Sequence, residues 1–182
     1  MQMSDSITIA KHDFYENIKN ILRSARENAY KQVNFIMVEA YWNIGKQIVE
    51  EEQNGKERAE YGKSLIADLS KRLTSEFGRG FSKRNLWNMR QFYLVFPKVQ
   101  TLSAQLTWSH YQLLLRIENS AAREWYMNEA IAANWSVRAL ERQIGTHYYE
   151  RLLSSKDKAL IMQEASEKTK DLLLPNMQTL SA

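Results

Sequence analysis

The stretch from residue 11 to about residue 52 contains no proline, and its apolar residues recur at Ile18, Leu22, Ala25, Ala29, Val33, Ile36, Ala40, Ile44 and Ile48. Steps of three and four residues mark one stripe of an α-helix, since a helix turns once every 3.6 residues. Gly45 is the one weak point in the run, because glycine gives up more backbone freedom in a helix than any other residue. Glu50, Glu51 and Glu52, followed by Gln53-Asn54-Gly55, end it. The stripe covers about 40 residues, longer than a typical globular helix. Two readings stay open: the helix packs against a partner chain, or it is buried on its own domain.

The rest of the chain repeats the helical theme. Six glycines and two prolines in 182 residues leave few breakers. Leu, Ala, Glu, Lys, Arg, Gln and Met dominate, no strand-like alternation stands out, and an all-α fold follows. A second helix is predicted from near Arg58 to Glu76, with Tyr61, Leu65, Leu69, Leu73 and Phe77 in period. Phe77-Gly78-Arg79-Gly80-Phe81 reads as a turn, and Ser82 as the cap of a helix that runs to about Phe96 and stops at Pro97. Thr107, Asn119 or Ser120, and Ser136 are placed to cap three further helices, the last taken as continuous through "VRALERQIGTHYYERLL". A weaker helix spans 156–173, and "LLLPNMQTLSA" trails off as a linker, as if the chain continued. The expected organisation is a long N-terminal helix over 11–55 that could dimerise, a helical bundle with a helix-turn-helix-like unit over 56–152, and a helix and linker over 153–182.

Charge singles out one part of this bundle. The net charge of +4 is unevenly spread: residues 1–55 carry −2, residues 56–98 carry +6, and residues 99–152 and 153–182 are each neutral. A local excess of one sign is the footprint expected for a polyanion, although a solvated basic face would look the same. The excess centres on "FGRGFSKRNLWNMRQFY", residues 77 to 93. On a wheel of 100° per residue, Leu86, Met89, Tyr93 and Phe96 share one arc, expected to pack on the preceding helix. Arg84, Asn88 and Gln91 lie opposite, with Lys83 and Arg90 on one flank. Phosphates need only Lys and Arg, whereas base edges are read by Arg, Asn and Gln through paired donors and acceptors. A helix entered from a turn and carrying that face is helix-turn-helix-like, with a turn longer than the strict motif allows. The candidate DNA-binding residues are therefore Lys63, Arg79, Lys83, Arg84 and Arg90 on phosphates, Ser82 at the helix start, and Asn85, Asn88 and Gln91 as base readers. A second pair, 120–133 and 136–150, has a similar layout with Arg138, Arg142 and Gln143 facing out. Glu141 and Glu150 and a neutral setting make it a supporting bundle instead.

Other chemistry finds little to stand on. With no cysteine there is no disulfide or thiolate metal site, which fits a reducing cytoplasm. His12, His110 and His147 lack metal-ligand spacing, and His110 reads as a packed or capping residue. Gly78 and Gly80 do not make a phosphate loop, because the lysine pattern is missing and a helix, not a strand, precedes them. No catalytic residue, metal or cofactor is expected. No run is long and apolar enough for a membrane span, and none resembles a signal peptide. The five tryptophans are expected mostly in the core, Trp87 included.

The segments "AYWNIGKQIVEEE", "YGKSLIADLSKRL", "FGRGFSKRNLWNMRQFY", "LTWSHYQLLLRIENSAAREWYMNEA" and "NWSVRALERQI" together resemble the N-terminal domain of YhcG-type bacterial proteins, over about residues 15–152. That resemblance implies a helical module, presumed to bind DNA, coupled to a C-terminal nuclease domain of the PD-(D/E)xK superfamily. No Asp or Glu here is followed two positions later by Lys, so that catalytic core is not expected in these residues. "SKRNLWNMRQFYLVFP", "LTWSHYQLLLRIEN" and "WSVRALERQI" are also similar, more faintly, to the helix-turn-helix region of ParB-type partition proteins. That analogy places Ser82, Lys83, Arg84, Asn85 and Asn88 on a recognition helix, with Trp108 and Tyr111 replacing smaller residues.

The expected partner is double-stranded DNA, with a homodimer and a covalently linked nuclease domain in the parent protein. The competing reading is an oligomerisation or partner-docking module, worked by the long first helix, without DNA affinity of its own. RNA remains open as the polyanion.

Overall fold

The computed structural model describes residues 2–54, 59–155 and 157–169, and the side chains of 13–53, 64–155 and 157–167. Among the described residues the fold is all-α. Helix α1 spans Gln2–Asn54 as one unbroken helix and α2 spans Ala59–Phe77. A short 3-10 turn, Arg79–Phe81, leads into α3, Lys83–Val95. Then follow α4 (Trp108–Leu114), α5 (Ser120–Ala132), α6 (Val137–Gly145), α7 (Tyr148–Ser154) and α8 (Lys158–Thr169).

The predicted caps hold the helix starts. Ser82 accepts from the Asn85 amide, Asn119 from the Ala122 amide and Ser136 from the Ala139 amide, each satisfying a first-turn N–H that has no partner inside its helix. Gly78, at φ 88° and ψ −160°, takes an extended positive-φ conformation open mainly to glycine just after α2 ends. The expected single helix after Ser136 is instead two. His147 adopts φ 52°, and the chain breaks between α6 and α7 at residues 145–147. Tyr148 can thereby enter the core, where it is buried.

Helix α3 is the centre of the packing. It buries Leu86, Met89 and Phe92, whereas Tyr93 is only half-buried. Its main support is α1, not the preceding α2 as the sequence suggested. The reason is Gly45. A β-carbon at that position would sit 2.0 Å from the Met89 carbonyl oxygen, so only glycine lets the two backbones approach this closely. The weak point of the long helix is thus its contact point. One cluster, Ile48, Ile66, Leu86 and Met89, joins α1, α2 and α3. A larger one runs from Val38 and Trp42 through Phe92, Phe96 and Tyr111 to Tyr126, Leu140 and Tyr148.

Buried polar groups in this core are paired. The Trp42 indole donates to the Phe96 carbonyl at 2.6 Å, and the Tyr126 hydroxyl donates to the Gln143 carbonyl while accepting from the Tyr149 amide. Burial pushes the Tyr111 and Tyr126 phenols up to about 12. Gln143, expected to face outward, is buried and donates to the Ala165 carbonyl of α8. His110 is buried as expected. Its Nδ1 accepts from the Thr107 amide at 3.1 Å, which leaves Nε2–H to donate to the Trp135 carbonyl at 3.0 Å. That arrangement holds the neutral ring, and desolvation lowers its pKa below 6.5.

The burial of α1 changes along its length. Val38, Trp42, Ile48 and Val49 are buried, but Phe14, Ile18, Leu22, Val33 and Ile36 are exposed. Neither half of the sequence alternative holds for the whole helix: its C-terminal half packs on its own domain, and its N-terminal half extends past it.

Two predictions follow from this packing. Gly45→Ala should lower stability by about 3 kcal/mol, since overpacking against a backbone carbonyl cannot relax by rotamer change. Gly80→Ala, with nothing within 4 Å of the added carbon, should be near neutral. Urea unfolding of the two variants checks both. For His110 the folded pKa lies below the unfolded one, so its contribution is complete above about pH 6.5 and is lost as the pH falls toward the lowered value. Melting temperatures between pH 5 and 8 should drop on the acid side, and His110→Gln should flatten that drop.

Candidate nucleic-acid interface

The outward face of α3 forms one wall of a groove of about 560 Å³, and the end of α4 forms the other. Arg79 and Gly80 come from the 3-10 turn, and Ser82, Arg84, Asn85, Asn88 and Gln91 from α3. Gln112, Leu115 and Arg116 come from α4 and the residues just after it. No carboxylate lines it among the described residues.

The turn that sets the floor of the groove is fixed from behind. The Ser70 hydroxyl of α2 donates to the Phe81 carbonyl at 2.9 Å. Asn85 then ties three elements together. Its amide nitrogen donates to the Gly80 carbonyl at 2.6 Å, and its oxygen accepts from the Trp108 indole and the Gln112 amide, both at 2.9 Å. Held this way, Asn85 locks α4 against the start of α3 while it also lines the groove. Trp108 completes the joint by packing its ring on Tyr41 of α1 and Phe92 of α3.

The remaining predicted residues divide. Arg79, Ser82, Arg84, Asn88 and Gln91 line the groove. Among the described residues, no ion pair involves Arg79, Arg84 or Arg116. Unpaired guanidiniums around a concave surface without carboxylates make a field suited to an anion, and their fork geometry suits phosphate oxygens. Asn88 and Gln91 add carboxamides able to donate and accept at once. Lys83 is exposed on α3 outside the groove lining. Arg90 lies away from it, bound to Glu52 of α1 at 2.6 Å and stacked 5.2 Å above the Trp87 ring. Its charge is already balanced, so it serves the α1–α3 contact. Trp87 itself, expected in the core, is 43% exposed. The Lys63 side chain lies outside the described residues.

Gln112 and Arg116 were not anticipated. Both fall in the electrically neutral part of the sequence, where a charge count gives no signal. Their spacing of four residues, which sets them on one side of a helix, is the one clue the sequence held. Among the described residues no group of three or more His, Cys, Asp or Glu could hold a metal ion, and no helix is long and apolar enough to cross a membrane.

Comparison with known proteins bears on the whole of this bundle. No solved structure matches the chain. It is 38% identical over 194 aligned residues to the Escherichia coli (strain K12) protein named "Putative nuclease YhcG". The match takes in 89% of this chain and 52% of that protein, so the chain spans about half the length of this curated relative. The model of the DUF1016 N-terminal domain matches residues 17–151, from the free half of α1 through to α7, and so includes every wall of the groove. The chain belongs to the DUF1016 N-terminal domain family.

Proposed function

We propose that this chain is a DNA-binding and positioning module that acts in the cytoplasm as part of a longer nuclease. The observation that carries the reading is the groove between α3 and α4, where Arg79, Arg84 and Arg116 converge with Asn88 and Gln91 and no carboxylate opposes them. The guanidiniums neutralise backbone phosphates, which supplies most of the affinity. The carboxamides sit where base edges would be met, which supplies discrimination. The turn and α3 act as a helix-turn-helix-like unit, braced by α1. The relative's name and its greater length support a linked nuclease domain in the parent protein. The module itself contributes no catalytic group and needs no cofactor.

A second observation, the exposed apolar half of α1, favours homodimerisation as a separate property of the same chain. If the groove fails to bind nucleic acid, docking through α1 becomes the principal role.

Fluorescence anisotropy of this chain with mixed-sequence duplex DNA across a salt series tests the reading, with duplex RNA as control. Binding should weaken steeply with salt and favour DNA. Arg84→Ala and Arg116→Ala should each reduce the logarithmic salt slope by about 0.9, the value for one phosphate contact. Asn88→Ala should leave the slope alone and cost about 1–3 kcal/mol of discrimination once a preferred site is selected. Asn85→Ala should instead lower thermal stability, since three hydrogen bonds go with it. A folded Arg84→Ala/Asn88→Ala variant that binds as the parent does would remove α3 from the interface.

A further inference from the structure

The apolar stripe on α1, exposed as far as Ile36, has an internal period. Phe14, Ala25 and Ile36 are eleven residues apart, as are Ile18, Ala29 and Ala40, and Leu22, Val33 and Ile44. Every one of these positions is apolar. A seven-residue register started at the same place would put Asn28, Gln32 and Glu39 in the seam. An eleven-residue repeat corresponds to 3.67 residues per turn, close to the relaxed helix, so the stripe stays on one side of a nearly straight rod. From Phe14 to Ile36 that rod is about 35 Å long.

The face is large for ordinary surface. Phe14 is 69% exposed, Tyr15 64%, Val33 60%, Ile36 58%, Leu22 55% and Ile18 42%, all within about 100° of one side of the helix. At roughly 100 Å² apiece these six expose about 600 Å², the upper end for the largest patch of a typical monomer and approaching the ~800 Å² each partner gives to a stable interface.

We infer that the occupant is the same stripe of a second copy, running antiparallel and centred on Ala29; this rests on the homodimer reading above. The register is self-complementary. Phe14 falls opposite Ile44, Ile18 opposite Ala40, Leu22 opposite Ile36 and Ala25 opposite Val33, while Ala29 meets its own copy. Small residues at the middle let the helices come close, and large ones meet small or aliphatic partners toward the ends.

The structure also sets the direction. From Ile44 onward, α2 stands over the same face of α1, leaving an apolar cleft of about 620 Å³ between them, lined by Ile44, Ile48, Leu65, Leu69 and Leu73. A parallel pair would drive the two α2 helices into one another. An antiparallel pair overlaps only the free halves and delivers Phe14 of each copy to the cleft of the other, where the apolar lining is otherwise open. The arrangement separates the two Gly45 crossings by about 48 Å along the helix axis, so the two grooves lie at opposite ends of one rod.

The chain contains no cysteine, so single-cysteine variants report contacts cleanly. The 182-residue chain is first weighed by light scattering, where a dimer is expected. Leu22→Cys and Ile36→Cys variants are then mixed, allowed to exchange subunits and oxidised. The expected product is the mixed Leu22→Cys/Ile36→Cys disulfide, with little of either homodisulfide, because like positions stand about 21 Å apart along the axis. Ala29→Glu should raise the dimer dissociation constant at least 100-fold while leaving the helical circular dichroism unchanged. A monomer for the parent chain at 10–100 μM overturns the dimer and the register together. A dimer that cross-links residue 22 to residue 22 overturns the antiparallel register and leaves the dimer standing. DNA binding is read separately, so neither result is confused with failure of the groove.

Discussion

The close approach of α1 and α3 at Gly45 is the constraint from which the rest of the structure follows. With the Met89 carbonyl only 2.0 Å from where a β-carbon would stand, the position of α3 against α1 has little freedom. Leu86, Met89 and Phe92 are then turned into the core on one side, and Arg84, Asn88 and Gln91 are turned away on the other. The ion pair between Arg90 and Glu52 fastens the same crossing at the surface, where a partly exposed pair adds modest energy but fixes orientation. Helix α2 adds a second brace, with Ile66 packed on Leu86 and Met89 and Ser70 bonded to the turn at Phe81.

The groove depends on a second joint, and this one is polar. Asn85 links the 3-10 turn, α3 and α4 through one side chain, and Trp108 inserts beside it between α1 and α3. Together they set the distance between Arg84 on one wall and Arg116 on the other. Such preorganisation favours the proposed contact with phosphates. Guanidiniums already gathered by the fold do not have to be collected against their mutual repulsion when the ligand arrives.

Local rules carried much of this. The periodicity of residues 18–48 gave the long helix, and Ser82, Thr107, Asn119 and Ser136 gave helix starts, because a cap is a bond between residues three apart. The wheel set Arg84, Asn88 and Gln91 opposite the buried face of α3 for the same reason. What failed was long-range. Asn85 looks like any outward amide until Trp108 and Gln112 are brought beside it, 23 and 27 residues further on. Arg90 looks like a free cation until Glu52 arrives from 38 residues earlier. Arg116 was hidden by the neutral charge of its segment. The break at His147 carries no proline, and no local pattern states its left-handed backbone or the burial of Tyr148 beside it.

The two halves of α1 show how one periodic pattern can serve two physical ends. The stripe runs on past residue 38, where Ile44 and Ile48 turn toward α2, while α3 covers the other side of the helix at Trp42 and Gly45. Burial within the domain would have required a further helix on the N-terminal half, and the described helices are all gathered at the other end. The eleven-residue period explains why the pattern can remain continuous through both regions: it tracks the natural turn of the helix, so no supercoil has to be wound into the part packed against α3.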